Sequence, residues 1–334
     1  MTTVQTTIVG DQGRSVRQGR QSYEETLRTL SQASVDQHFD AFKDIAWDSP
    51  ELAVRDDDPR WILTDADSIG RHPWYKALSQ ERQIAVGRYR FAQIAKVGLQ
   101  FEQLLIAGVM HRLLVMEDGN PEFRYATHEV TEETHHTQMF QELVNRIHPG
   151  VAGAPRSYKR LFPWLAAAGG FFPEAFFVGI LAGEEPIDHL QKSIMRAGGT
   201  HPLVDRIMQI HIAEEARHIG FAHQYLEQHV AELGPVRRRL LALIFPIIMR
   251  RLGDVIMKPS EKARRDMGMP VEVAREIWWE SPEARKELRD MFSDVRMLAD
   301  TLGLRTRFSR MIWRLMQIDG KPARFRGEPA SATH

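Results

Sequence analysis

The stretch HIAEEARH, residues 211–218, inside QIHIAEEARHIGFAHQYL (209–226), decides how the whole chain is read. His211, Glu215 and His218 stand at i, i+4 and i+7, so on a helix they project along one stripe. Extended both ways, that stripe is Val204, Ile207, His211, Glu215, His218, Ala222 and Tyr225, an apolar face interrupted by three metal-type ligands. A solvated face is the ordinary reading of His and Glu on a helix, but Glu214 and Arg217 already supply one as an i, i+3 ion pair. Buried imidazoles and carboxylates need a partner that offsets their desolvation, and three together most simply share a cation.

Composition narrows the rest. The chain has 334 residues, enough for a sizeable core. Lys plus Arg and Asp plus Glu each number 44, so no basic field argues for nucleic acid. Cysteine is absent, which excludes disulfides, thiolate zinc sites, iron–sulfur clusters and cysteine nucleophiles. Residues 1–20 carry no secretory-type apolar segment. The longest apolar run, Leu240 to Met249, is broken by Pro246 and too short to span a bilayer. The expectation is a cytoplasmic chain without a membrane span.

Residues 1–20 show no apolar period and read as a disordered tail. Helical periodicity runs from Tyr23 to about Trp47, and breakers over 48–77 mark an irregular wrapping segment. Ser79 is an N-cap for a long helix to about Met116, and the turn Glu117 to Pro121 sends the chain into an antiparallel helix ending near Ile147. Residues 149–170 form a Gly/Ala/Pro-containing connection long enough to cross a bundle. Helices follow from about Pro173 to Arg196, closed by Ala-Gly-Gly-Thr, and from about Pro202 to Glu232. More helices lie beyond, the last basic with Met311, Ile312 and Leu315, and residues 320–334 read as a tail. Sustained strand alternation and solenoid repeats are both absent. The expected fold is all-α, with one domain over 21–319.

A metal needs ligands from several helices. HEVTEETHHTQMFQELVNRI (128–147) offers two overlapping E-x-x-H pairs, Glu132/His135 and Glu133/His136. His136, Phe140, Leu143 and Ile147 form the apolar stripe that Glu133 extends, whereas His135 leads to Gln138, Glu142 and Arg146. Glu133 and His136 are therefore the inward pair. In FFVGILAGEEPIDHLQ (176–191), Glu184 shares a face with Phe177, Ile180, Ile187 and Gln191, while Glu185 lies with His189 and Lys192. Pro186 predicts a local kink or bulge beside it. Glu102 is the only carboxylate on the stripe of Phe91, Ile94, Gly98, Leu105 and Val109.

One Glu from each of two helices and one E-x-x-H from each of two others is the ligand set of a ferritin-like dimetal bundle, in which a long crossover joins the second and third helices. Glu133 and Glu215 are the expected bridges, with Glu102 and Glu184 terminal. His211 is a seventh candidate over the same metal as Glu215; the competing role is a hydrogen bond to a ligating carboxylate, and ligation is the favoured reading. Such ligands suit Fe(II), with Mn(II) compatible. No nucleotide fingerprint or Cys cluster supplies electrons, so a separate reductase or ferredoxin is implied.

With those residues, the chain resembles the diiron arylamine oxygenase family, typified by p-aminobenzoate N-oxygenase. The likeness rests on FEQLLIAG around Glu102, EETHHTQM around Glu133 and His136, GEEPI around Glu184, and HIAEEARH with its extra His211. It extends over about residues 25–300. The resemblance implies two irons, with O2 as co-substrate, oxidising an aryl amine nitrogen. A site for an aromatic acid should aim an Arg or Lys at the carboxylate, yet the helix before Glu102 has Ile94, Ala95, Val97 and Gly98, with Lys96 on another face. Phe101, Leu105, Phe140, Phe176, Phe177 and Ile180 are the lining candidates, with plain core the favoured reading for most of them, and the substrate expected is small and aromatic or apolar. Two other readings share the ligand set: a diiron hydroxylase or desaturase for an apolar or lipid-like substrate, and an iron-binding or storage protein. LLALIFPIIM (240–249) offers a homodimer stripe, with core packing the favoured alternative.

Overall fold

A computed structural model describes the backbone of residues 10–327 and the side chains of residues 22–327 other than Trp279. Among the described residues every regular element is helical. In chain order these are α1 (Gly10–Asp36), α2 (Pro73–Lys76), α3 (Gln80–Leu114), α4 (Glu122–Ile147), α5 (Arg156–Lys159), α6 (Phe162–Phe171), α7 (Pro173–Ala197) and α8 (Pro202–Val230). They continue with α9 (Pro235–Met257), α10 (Glu261–Asp266), α11 (Val271–Arg275), α12 (Pro282–Asp290), α13 (Ser293–Thr301) and α14 (Arg307–Leu315).

Two antiparallel hairpins, α3/α4 and α7/α8, make the bundle, and α3 meets α7 as α4 meets α8. Ser79 Oγ accepts from Arg82 N–H to start α3, as the N-cap reading requires. Gly198 and Gly199 close α7 at φ 65 and 80°, a left-handed turn that a side chain would oppose. The crossover is not irregular throughout: α5 and α6 form within it, and α6 lies along α3. α7 also runs through Pro186 as one helix with no π turn, so the bulge among the expected defects does not form, and neighbours α8 and α9 pack along it.

The first helix differs from its expected span at both ends. It begins at Gly10, while residues 1–9 of the expected tail lie outside the described residues. It stops at Asp36 instead of continuing to Trp47, because Asp40 Oδ1 accepts from the Phe42 and Lys43 amides and turns the chain. The wrapping segment is pinned by buried aromatics: Trp61 stacks on His201 at the start of α8, with centroids 4.1 Å apart. In α9 the apolar run divides. Leu241, Phe245 and Met249 are buried, whereas Leu240, Leu243 and Ile247 face outward. The C-terminal segment leaves the helices but stays attached, Ala323 N–H donating to Ser293 O; residues 328–334 lie outside the described residues. No described helix is long and apolar enough to cross a membrane.

Glycines set how closely the crossover docks. A Cβ on Gly169 would meet the carbonyl oxygen of Gly108 at 2.0 Å, a clash with backbone that no rotamer relieves. Gly169→Ala should therefore destabilise the protein by about 1–3 kcal/mol in urea unfolding. Gly150→Ala, where a Cβ meets nothing within 4 Å, is the control and should leave the midpoint nearly unchanged.

Candidate metal centre

Four helices bring their stripes to one place. Glu102 comes from α3, Glu133 and His136 from α4, Glu184 from α7, and His211, Glu215 and His218 from α8; all seven are buried. Two tight groups form, Glu102–His136–His211–Glu215 and Glu133–His136–Glu215–His218, each with one ligand atom per residue within 4.8 Å of the others. Glu215 belongs to both. Its Oε1 lies 3.3 Å from His211 Nε2, 3.5 Å from His136 Nδ1 and 3.6 Å from His218 Nδ1. Glu133 reaches two imidazoles, Oε1 lying 3.0 Å from His218 Nδ1 and Oε2 3.4 Å from His136 Nδ1.

Glu184 stands in neither tight group. It lies on the wall of the adjoining cavity with Glu102, Glu133, His211 and Glu215, and neither of its buried oxygens has a hydrogen-bond partner.

The sequence reading missed the carboxylates that aim the imidazoles. α4 and α8 each carry a Glu-Glu doublet, and the first Glu of each crosses to the other helix. Glu214 Oε2 lies 2.8 Å from His136 Nε2, and Glu132 Oε2 lies 2.8 Å from His218 Nε2. The two carboxylates accept the Nε2 protons and turn both Nδ1 atoms toward the centre. Glu214 was placed on a solvated face with Arg217, and Glu132 outside the inward pair; both are buried. The Arg217 pair does exist, at 3.5 Å from Glu214, and Arg217 also donates to Glu132 Oε1 at 2.9 Å. One guanidinium thus ties the two orienting carboxylates together. The Phe39 amide completes the arrangement by donating to Glu214. The doublets Glu132-Glu133 and Glu214-Glu215 were the available signal.

His211 is oriented differently. Its Nδ1 lies 3.0 Å from Gln191 Oε1, so an Nδ1–H donates there and Nε2 turns a lone pair on Glu102, 3.2 Å away, and on Glu215. Burial pushes His211 down to about 4, which keeps it neutral. A lone pair facing two carboxylates is reconciled by a proton or a cation between them.

Electrostatics agree with a cation site. Burial, then the charge of Glu133, raises Glu102 well above the carboxylate range; burial, then Glu215 and Glu133, does the same to Glu184. Burial opposes charge on His136 and His218 as well, but the surrounding carboxylates more than offset it and hold both imidazoles well above their ordinary value. Glu102 Oε2, Glu215 Oε2 and both oxygens of Glu133 and Glu184 lack hydrogen-bond partners despite burial. Bare acceptors of this kind beside inward-facing imidazoles fit divalent iron or manganese.

The cavity beside the centre is apolar, lined by Phe91, Ile94, Leu105, Phe140, Ile194 and Ile207 among others, with Gln191 as its one polar side chain besides the carboxylates and His211. Phe101, Leu105 and Phe140 line it as expected. Phe176, Phe177 and Ile180 are core instead: Phe177 stacks on Tyr225 at 3.9 Å, and Phe176 fills the notch at Gly108. Neither Lys nor Arg lines the cavity among the described residues.

Glu129, one helical turn before Glu133, is a further buried carboxylate that the sequence reading left out. Burial, reinforced by the charges of Glu133 and Glu215, lifts it to about 8. The folded protein then holds a proton that the unfolded chain releases near 4.5, so this group makes metal-free stability fall as pH rises from 4.5 to about 8. Glu129→Gln should flatten that decline in denaturant titrations of metal-free protein. For the orienting carboxylates, Glu132→Gln or Glu214→Gln should weaken iron binding roughly 10- to 100-fold by competition with a chelator, leaving helix content unchanged.

Comparison with known proteins agrees with this architecture. The model of the p-aminobenzoate N-oxygenase AurF family matches residues 20–303, which include all four ligand helices. An uncharacterized protein of Mycobacterium tuberculosis (strain CDC 1551) is 51% identical over 308 residues, covering 92% of this chain and 91% of the relative. One of Mycobacterium bovis is 50% identical over 308 residues, with the same coverage. The chain therefore belongs to the p-aminobenzoate N-oxygenase AurF family, a diiron, ferritin-like family.

Proposed function

We propose that this protein is a non-haem diiron oxygenase, with residues 21–319 as its catalytic domain, that oxidises a small aromatic or apolar molecule. On an aryl amine the reaction is N-oxygenation. One observation carries the reading: bare, buried carboxylates and the His211 imidazole form one wall of a cavity that is otherwise apolar apart from Gln191. In this reading Glu102, Glu133, His136, Glu184, His211, Glu215 and His218 would hold two irons, with Glu215, which reaches all three imidazoles, and Glu133, which reaches two, as the central carboxylates. When bound, the irons supply the redox chemistry that activates O2, with electrons from a separate reductase or ferredoxin.

The chain's own groups do the rest. Glu132, Glu214 and Gln191 fix which nitrogen of each imidazole faces inward. Phe140 packs against His211, with ring centroids 5.1 Å apart, and the aliphatic walls keep bulk water from the reacting molecule. A second reading, hydroxylation or desaturation of an apolar substrate, is favoured by the same lining, since no cation in it would hold a carboxylate. The cation next along α3, Arg90, is engaged by Asp67, Gln93 and the Met257 carbonyl.

Anaerobic Fe(II) titration should saturate at about two irons per chain, and Glu215→Ala should lose at least one. Saturation at another value, or full retention by the variant, overturns the assignment. Turnover of 4-methylaniline and of an alkyl-chain substrate, with products identified by mass, separates N-oxygenation from the second reading.

A further inference from the structure

The C-terminal helix carries a feature that the metal centre does not use. α14 reads RFSRMIWRL. Trp313 anchors it, fully buried against Phe245 of α9 with centroids 5.6 Å apart, and Arg250 on α9 donates to the Met316 carbonyl. The opposite side is left in water. Phe308, Met311 and Leu315, at i, i+3 and i+7, are 74, 65 and 73% exposed and form one row. Single exposed apolar residues are ordinary, but a row of three large ones marks a surface that is covered in use.

Charge identifies what covers it. Arg307, Arg310 and Arg314 repeat the same spacing one position earlier and run beside the apolar row, and α14 contains no carboxylate. An open cleft next to the helix is walled by five arginines and Lys321 against Asp300 and Asp319, which pair with Arg305, Arg310 and Arg314 and leave cations in excess. This excess is local, because the chain as a whole balances 44 basic against 44 acidic residues. A helix with an apolar row flanked by cations lies flat in a membrane interface, its apolar side chains among the acyl chains and its cations on anionic headgroups. We propose that α14 and its basic cleft dock this protein peripherally on an anionic phospholipid bilayer.

A second copy of the chain fits this surface poorly, since a two-fold contact would bring the arginine row of one α14 against that of the other. An acidic redox protein fits poorly too: α14 packs on α9, which packs on α7, so a whole helix separates it from the nearest ligand-bearing helix.

The test uses the full chain and sedimentation with vesicles of phosphatidylcholine, with or without phosphatidylglycerol. Binding should require phosphatidylglycerol and disappear near 1 M salt. It should drop on the order of fivefold for each of Arg310→Gln and Arg314→Gln. The triple variant Phe308→Ser, Met311→Ser, Leu315→Ser should abolish it while keeping the thermal midpoint, since all three side chains are exposed. Absence of binding to the anionic vesicles overturns the proposal, as does a triple variant that binds as well as the parent. A dimer in sedimentation equilibrium that the triple variant dissolves, without vesicle binding, assigns the face to a second copy instead. Binding should persist in iron-free protein, so the outcome is independent of the metal centre.

Discussion

Everything in this molecule is arranged around the cost of gathering acids and imidazoles away from water. Glu102, Glu129, Glu133, Glu184 and Glu215 share the interior of one four-helix bundle with His136, His211 and His218. Left to themselves, such groups shift their protonation states until little net charge remains: Glu102 and Glu184 are raised and His211 stays neutral, while His136 and His218 are raised beside the lowered Glu133 and Glu215. The fold then fixes what remains. Glu132 and Glu214 cross between helices, Arg217 joins them, and the backbone at Phe39 closes the outer side. The interior is a set of electron-pair donors held in position, an arrangement suited to receiving an ion.

The parts legible in sequence were those set by one helix at a time. The stripe through His211, Glu215 and His218 separates inward from outward residues because α8 alone determines its own period, and Glu102, Glu133, His136 and Glu184 followed from the same rule. Glu214 and Glu132 escaped it for a physical reason. Reading a single helix assumes water on its far side, but α1 and the turn after it cover both α4 and α8. A flank that would be solvated in a bare bundle is therefore interior, and the ion pair inferred there, Glu214 with Arg217, is real but buried. Phe176 and Phe177 fall to the core reading favoured for most of the lining candidates, since periodicity shows that a side chain is inward without showing whether a cavity or a neighbouring ring meets it.

The cavity's chemistry is settled by its surroundings as much as by its lining. Arg90 is buried one turn from Ile94 and could in principle have served an anionic ligand, yet Asp67 from the wrapping segment meets it at 3.1 Å. The irregular segment thus does more than cover the bundle: it engages a buried positive charge on α3. What is left to recognise a bound molecule is shape, aromatic contact and the acid–imidazole wall itself.

Shape here depends on facing partners. Gly183 on α7 makes room for the ring of Phe101, which lines the cavity, and Gly98 lies under the ring of Phe140, which lines it too. A methyl group at Gly183 would occupy the space of the Phe101 ring tip, so neither position can change size alone. Drift in this lineage is then constrained to joint moves, a larger residue on one helix together with a smaller ring on its neighbour. Descendants that alter what they accept should differ at both members of such a pair, while the acid and imidazole positions a few ångströms away stay fixed.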